Sequence, residues 1–198
     1  VIDDEKVNTL FVVTRHDTHA EFILKGIKSD KHVFAEKPMA INESELEEIR
    51  TAYKNSKQNH LMIGFNRRFS PAVQKIKSIF SNEQSKTINI RVNAGQISSD
   101  HWVNDPKIGG GRIIGEVCHF IDLSMYFAGA NIISVYSTAM SDANGLNNSV
   151  VINLKFENGS VASVNYFSNG NNKLPKEYVE VFCGGTVAQI DDFKTLTI

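Results

Sequence analysis

Three short apolar runs open the chain, each separated from the next by a polar stretch with helical periodicity. TLFVVT (Thr9 to Thr14), VFA (Val33 to Ala35) and HLMIGF (His60 to Phe65) have the length and continuity of buried strands. Between the first two, HDTHAEFILKGI sets Ala20, Ile23, Leu24 and Ile27 on one helical face, and Thr18 followed by Glu21 has the spacing of a capping box. Between the second and third, Asn42 and Glu45 repeat that spacing, and Leu46, Ile49 and Tyr53 stripe a helix reaching about Lys57. Buried strands joined through amphipathic helices predict parallel crossovers.

From residue 70 the pattern changes. Ser70 as N-cap and Pro71 at the first helical position start a helix with Val73, Ile76 and Phe80 on one face. TINIRVNAG then alternates, Ile88, Ile90, Val92 and Ala94 against Thr87, Asn89, Arg91 and Asn93, as a strand with one face in the core must. A loop through Trp102 and Gly109 to Gly111 leads into a helix from about Gly115 to Phe127. Beyond it NIISVYSTAM, SVVINLKF, VASVNYFS, YVEVFC and TVAQI read as antiparallel strands. Asn158-Gly159 asks for a type I′ hairpin, Gly184-Gly185 for another reversal, and the polar loop Gly170 to Pro175 is expected to be mobile. The fold class predicted is α/β over residues 1–69 followed by α+β over 70–198, with a large, mostly antiparallel sheet open on one face.

Composition narrows the function classes. With 198 residues, 22% charged and a formal net charge of -1, the basic residues dispersed, nothing favours nucleic acid. No apolar run reaches membrane-spanning length and no signal-peptide pattern is present, so no membrane partner and a cytoplasmic location are expected. Cys118 and Cys183 are far apart and lack CxxC spacing, which suits thiols in a reducing compartment; no metal is expected.

The candidate chemistry starts at the exit of the second strand. Glu36, Lys37 and Pro38 follow VFA, and in parallel sheets the crevice beyond the carboxyl ends of the strands receives ligands, so Lys37 is a site candidate. His119, Asp122 and Tyr126 fall on one stripe of the later helix, where a histidine beside a carboxylate can accept a proton near neutral pH.

Four ordered segments carry a resemblance: TRHDTHA (Thr14 to Ala20), Glu36-Lys37-Pro38, GFNRRFSP (Gly64 to Pro71) and GGGRIIGEVCHFIDL (Gly109 to Leu123). They resemble the glucose-fructose oxidoreductase, inositol dehydrogenase and rhizopine-catabolism family, Gfo/Idh/MocA, and the last is similar to the oxidoreductase segment of two-part bacterial dehydrogenases from surface-sugar gene clusters. The resemblance implies the C-terminal half of a Rossmann domain followed by the open-sheet domain. It also implies an NAD- or NADP-dependent oxidoreductase acting on a secondary hydroxyl of a sugar, nucleotide sugar or cyclitol. The alternative it leaves open is a silent dinucleotide-binding sensor or co-repressor of the same fold.

By the same resemblance Lys37 and His119 are catalytic, the lysine beside the nicotinamide and the reacting hydroxyl, the histidine taking the hydroxyl proton. Thr14, His16, His19, Glu36, Lys37 and Arg68 are expected at the cofactor, and Trp102, Asp105, Arg112, Glu116 and Asp122 at the substrate. The sequence also departs from the family. Arg15 and His16 stand where Pro and Asn are usual, and Gly115 stands where an aspartate precedes the catalytic histidine by four residues. Glu116 is turned by about 100° from that position on an α-helix and need not replace it. No GxGxxG turn precedes the three strands, so the chain is expected to begin partway through its nucleotide-binding domain. The second face of the large sheet, with Val151, Val161 and Phe167 among Asn89, Arg91 and Asn153, is expected to form a homo-oligomer.

Overall fold

The computed structural model describes residues 1–56, 59–80, 84–141 and 145–198. Compactness divides the chain into one unit of Val1–Phe65 with Asp100–Cys118 and a second of Asn66–Ser99 with His119–Ile198. The sequence reading cut the chain once, after residue 69; the structure instead returns residues 100–118 to the first unit. Hydrogen bonds explain the return: Asp17 N–H donates to the Ile108 carbonyl at 3.1 Å, and the side chains of His16 and Lys37 reach carbonyls in the same segment.

In the first unit, β1 (Thr9–Val12), β2 (His32–Ala35) and β3 (Leu61–Ile63) pair in parallel in that order. The connecting helices α1 (His19–Lys28) and α2 (Glu43–Lys54) bury Ile23, Ile27 and Ile49 against Val12, Val33 and Ala35. The runs expected to be buried on both faces are covered on one. Phe11 is 71% and Val13 66% exposed, because successive strand residues point to opposite faces and both helices lie on the same one. Leu46 and Tyr53 are likewise exposed rather than part of the core stripe, and only Ile49 of that trio is buried. The expected end of α2 at Lys57 lies outside the described residues.

The two predicted helix starts differ. Asn42 Oδ1 accepts from Glu45 N–H at 2.9 Å, and the Glu45 carboxylate accepts from Ile41 N–H at 3.0 Å. Thr18 makes no such cap. Residues His16–Thr18 already coil as a 3-10 turn leading into α1, and the Thr18 hydroxyl instead lies 2.6 Å from Thr14 Oγ1 and 2.9 Å from the Arg15 carbonyl. Residues 100–118 add a π-helical turn, Ile113–Val117, where an α-helix was expected from about Gly115.

The second unit is built on seven strands: β4 (Thr87–Asn93), β5 (Ile132–Met140), β6 (Ser149–Phe156), β7 (Val161–Phe167), β8 (Glu177–Cys183), β9 (Thr186–Asp191) and β10 (Thr195–Thr197). Their order is β10-β9-β8-β4-β7-β6-β5, antiparallel throughout except for the parallel pair of β4 with β7. Ile88, Ile90 and Val92 of β4 are buried with Val164 and Tyr166 of β7, as the alternation requires. The helices α3 (Pro71–Ile79) and α4 (Cys118–Ala128, all but its first residue in this unit) contribute Val73, Ile76, Phe120, Leu123 and Phe127 to that core. Ser70 Oγ caps α3 by accepting from Val73 N–H at 3.3 Å.

The Asn158-Gly159 hairpin differs from the type I′ turn expected. Gly159 has φ 81° while Asn158 is not left-handed, and Gly159 N–H donates to the Phe156 carbonyl at 3.0 Å. That is a type I turn with a left-handed glycine at the bulge rather than type I′, which needs positive φ at both central residues. Gly184 and Gly185, at φ 56° and 81°, meet that requirement between β8 and β9. The Gly170 to Pro175 loop is tied down by Asn93, whose Nδ2 donates to the carbonyls of Asn171 and Leu174 at 2.8 and 3.0 Å.

Candidate active site

Lys37 emerges where the parallel ladder ends. Glu36 N–H still donates to the Val12 carbonyl at 2.9 Å, so the chain stays in the sheet one residue past β2 and then turns through the cis Lys37-Pro38 peptide. His19, buried at the start of α1, sets Nδ1 2.7 Å from the Pro38 carbonyl and Nε2 3.0 Å from the Thr14 carbonyl. Its ring therefore ties the turn after β1 to the turn after β2, and its polar atoms serve the main chain. Thr14 is exposed beside it. Gly64, at the exit of β3, leaves room for Glu36: a Cβ there would lie 3.1 Å from Glu36 Oε1. The Lys37 ammonium donates to the Gly115 carbonyl at 2.7 Å. This fixes a cation at the carboxyl end of the sheet by a charge-assisted bond.

His16 lies in the same neighbourhood. Its Nδ1 is 2.8 Å from the Gly109 carbonyl, and because a carbonyl only accepts, Nδ1 carries the hydrogen. Trp102 meets the ring edge-on at 4.8 Å, with the Arg15 guanidinium 5.7 Å from the indole on its own account. Burial, foremost, and the charge interactions with Lys37 and His19 hold His16 below the usual histidine value of 6.5; the Gly109 bond and Asp17 oppose this. A Cβ at Gly115 would come 2.8 Å from His16 Cε1.

The other residues of this unit have local partners. Asp105 Oδ1 accepts from Lys107 N–H at 2.7 Å, and its carbonyl accepts from Gly109 and Gly110 N–H at 2.8 and 3.0 Å, so Asp105 shapes the glycine turn. Arg112 is buried, and its Nε donates to Glu116 Oε1 at 3.1 Å, one turn along. Glu116 is thus directed at Arg112. The expectation of a 100° rotation assumed an α-helix, whereas residues 113–117 form the wider π turn.

His119, Asp122 and Arg68 belong to the second unit. His119 is buried on α4 with its ring 6.4 Å from Phe120. Asp122 and Arg68 hold each other: Arg68 Nε donates to Asp122 Oδ2 at 3.0 Å, NH2 bonds the other oxygen, and the guanidinium lies 5.2 Å from the Tyr126 ring. Arg67, to which the sequence assigned no role, is bidentate to Glu177, with Nε 2.7 Å from Oε2, and lies 4.8 Å from the Phe120 ring. A double arginine at a strand exit gave no sign of its two carboxylate partners, which lie 54 and 110 residues away.

Residues 1–65 match the family described as an oxidoreductase family with an NAD-binding Rossmann fold, and residues 74–185 match the GFO/IDH/MocA C-terminal domain. The chain belongs to the Gfo/Idh/MocA family. Among its relatives, the oxidoreductase YrbE of Bacillus subtilis is 27% identical over 83% of this chain and 50% of its own length. The myo-inositol 2-dehydrogenase of Thermotoga maritima is 23% identical over 83% of this chain and 51% of its own. A crystallised levoglucosan dehydrogenase with NADH shares the fold at a TM-score of 0.83 and 22% identity, over 96% of this chain and 56% of that one. The chain spans about half the length of the curated relatives it matches. The family's fold, a Rossmann-like unit and an α/β unit with a mixed, mostly antiparallel sheet, is the one described above. Among the described residues no helix is long and apolar enough to cross a membrane.

Proposed function

We propose that the complete protein oxidises or reduces a secondary hydroxyl carbon of a sugar, nucleotide sugar or cyclitol with NAD or NADP. The observation that carries this is the Lys37 ammonium, aimed by the Gly115 carbonyl at the carboxyl end of a parallel sheet. Myo-inositol and levoglucosan dehydrogenases among the relatives support the substrate class.

A bound nicotinamide supplies the hydride acceptor or donor. The residues present fit that end of a dinucleotide: Thr14, His16, Glu36 and Lys37 cluster at the exits of β1 and β2, while no glycine-rich phosphate turn occurs in residues 1–198. Lys37 donates to the substrate oxygen and stabilises the negative charge that develops as its proton leaves. His119 takes that proton, and the Arg68–Asp122 pair holds its helix. Trp102, Arg112 and Glu116 contact the sugar. The same reading includes a cytoplasmic setting and a homo-oligomer joined through the open face of the seven-stranded sheet.

The test is a spectrophotometric screen of the full-length protein with NAD and NADP against cyclitols, free sugars and nucleotide sugars, with Lys37→Ala as control. Turnover abolished by that substitution supports the reading. Tight dinucleotide binding with no turnover of any of them would favour the silent sensor instead.

A further inference from the structure

Positions 16 and 115 are coupled in space. Gly115 sits on the π turn with its carbonyl on Lys37, and the His16 ring fills the volume a side chain at 115 would need, 2.8 Å from an added Cβ. The ring cannot simply step aside, because Nδ1 is bonded to the Gly109 carbonyl and Trp102 closes one edge. Two carbonyls of one segment, Gly109 and Gly115, thus hold His16 and Lys37 respectively. In the neutral ring a hydrogen on Nδ1 leaves the lone pair on Nε2, so this imidazole can accept a proton.

We infer that His16 is an acid–base group of the Lys37 site, occupying with its imidazole the place of any side chain from position 115. The inference deepens the dehydrogenase proposal and rests on it for the substrate. In the oxidation direction the alcohol O–H bond breaks and its single proton goes either to His119 or to His16 Nε2, where it gives the imidazolium. The oxygen would keep the electron pair beside the Lys37 ammonium and use it to form C=O, a bound nicotinamide supplying the acceptor for the carbinol hydride. A second proton acceptor, besides His119, follows from this geometry. The charged and titratable groups around His16 are Lys37 beyond β2, His19 on α1, Asp17 in its own turn, and Arg15 through Trp102. Burial, Lys37 and His19 oppose the imidazolium, so the ring is neutral and ready to accept at pH 7.

The experiment uses the full-length protein. Histidine side-chain 15N NMR against pH should show His16 as the Nδ1–H tautomer titrating below 6.5, and Lys37→Met should raise that midpoint. Gly115→Ala should shift the His16 resonances and lower Tm, and in a His16→Asn background the same substitution should cost less. In kinetics, His119→Asn should leave an acidic limb in kcat/KM, set by His16, and adding His16→Asn should remove it with a further loss of about tenfold or more. His16→Gln, checked for a wild-type-like melt, guards against simple misfolding. An ordinary or Lys37-independent His16 midpoint overturns the pairing even if no turnover is found. With turnover established, a limb that vanishes in His119→Asn alone, or survives in the double variant, overturns the acid–base role and leaves the dehydrogenase reading standing.

Discussion

A lysine at a strand exit is an ordinary surface residue until its ammonium is fixed, and in this chain the Gly115 carbonyl fixes it. Lys37→Ala should therefore lower kcat of the complete protein by about 10²-fold or more while barely changing dinucleotide affinity, because the ammonium is needed most where charge develops. Steady-state kinetics alongside a cofactor titration separates the two effects, and an unchanged kcat would return Lys37 to the solvated surface. His16 gives a stability prediction with a definite sign. Its folded pKa is depressed, so as pH falls from about 6.5 the unfolded ring binds a proton that the folded ring refuses, and stability is lost from there down through the folded value. Thermal melts stepped from pH 7 to pH 5 should show a steeper fall for the native chain than for His16→Asn. Parallel slopes would mean the ring is not held neutral. Lys37 was legible as a candidate because a charged dipeptide interrupts an apolar run. The pairing of His16 with Gly115 was not, since it joins residues almost a hundred positions apart and depends on the size of a missing side chain.

At the scale of elements, local signals succeeded where the energy is local. Asn42 and Ser70 were readable as caps because the bond runs to an N–H three residues on, and Asn42→Ala should cost about 1 kcal/mol, measured as a shift in the denaturant midpoint at unchanged m-value. A shift of a few tenths would mean that the Glu45 bond to Ile41 carries the start of α2 alone. Thr18 has the same spacing but fails to cap, since the preceding 3-10 turn has already engaged its hydroxyl. Leu46 and Tyr53 show the limit of periodicity: it identifies a face, whereas a three-stranded sheet covers only the part of that face it can reach. The π turn at Ile113–Val117 was not legible in the sequence, and it carries the Gly115 carbonyl that accepts from Lys37. The short β10 was missed because its three residues are too few for their alternation to stand out.

For the whole molecule, the large sheet was legible, whereas the packing of residues 100–118 with the first unit was not. Strand alternation named the inner residues of β4 correctly, yet nothing in composition shows that residues 100–118 belong with the first unit. The outer face of the seven-stranded sheet is polar along one row. Asn165 Nδ2 donates to Asn89 Oδ1 at 3.3 Å, Asn89 Nδ2 to Glu180 Oε2 at 2.9 Å, and Gln189 Nε2 to Glu180 Oε1 at 3.1 Å, a polar row across β7, β4, β8 and β9. With those groups satisfied among themselves, covering the face strands few polar atoms, which is the usual obstacle to burying it. Val161 is 42% and Phe182 39% exposed in the row beside it, apolar surface that a second copy can cover across a two-fold axis. The protein should therefore be a homo-oligomer joined sheet to sheet, and Phe167→Lys or Val161→Lys should dissociate it because each puts an unpaired ammonium into the contact. Light scattering of the native protein and both variants decides: a monomer mass for the native chain, or an oligomer indifferent to both lysines, places any assembly on another surface.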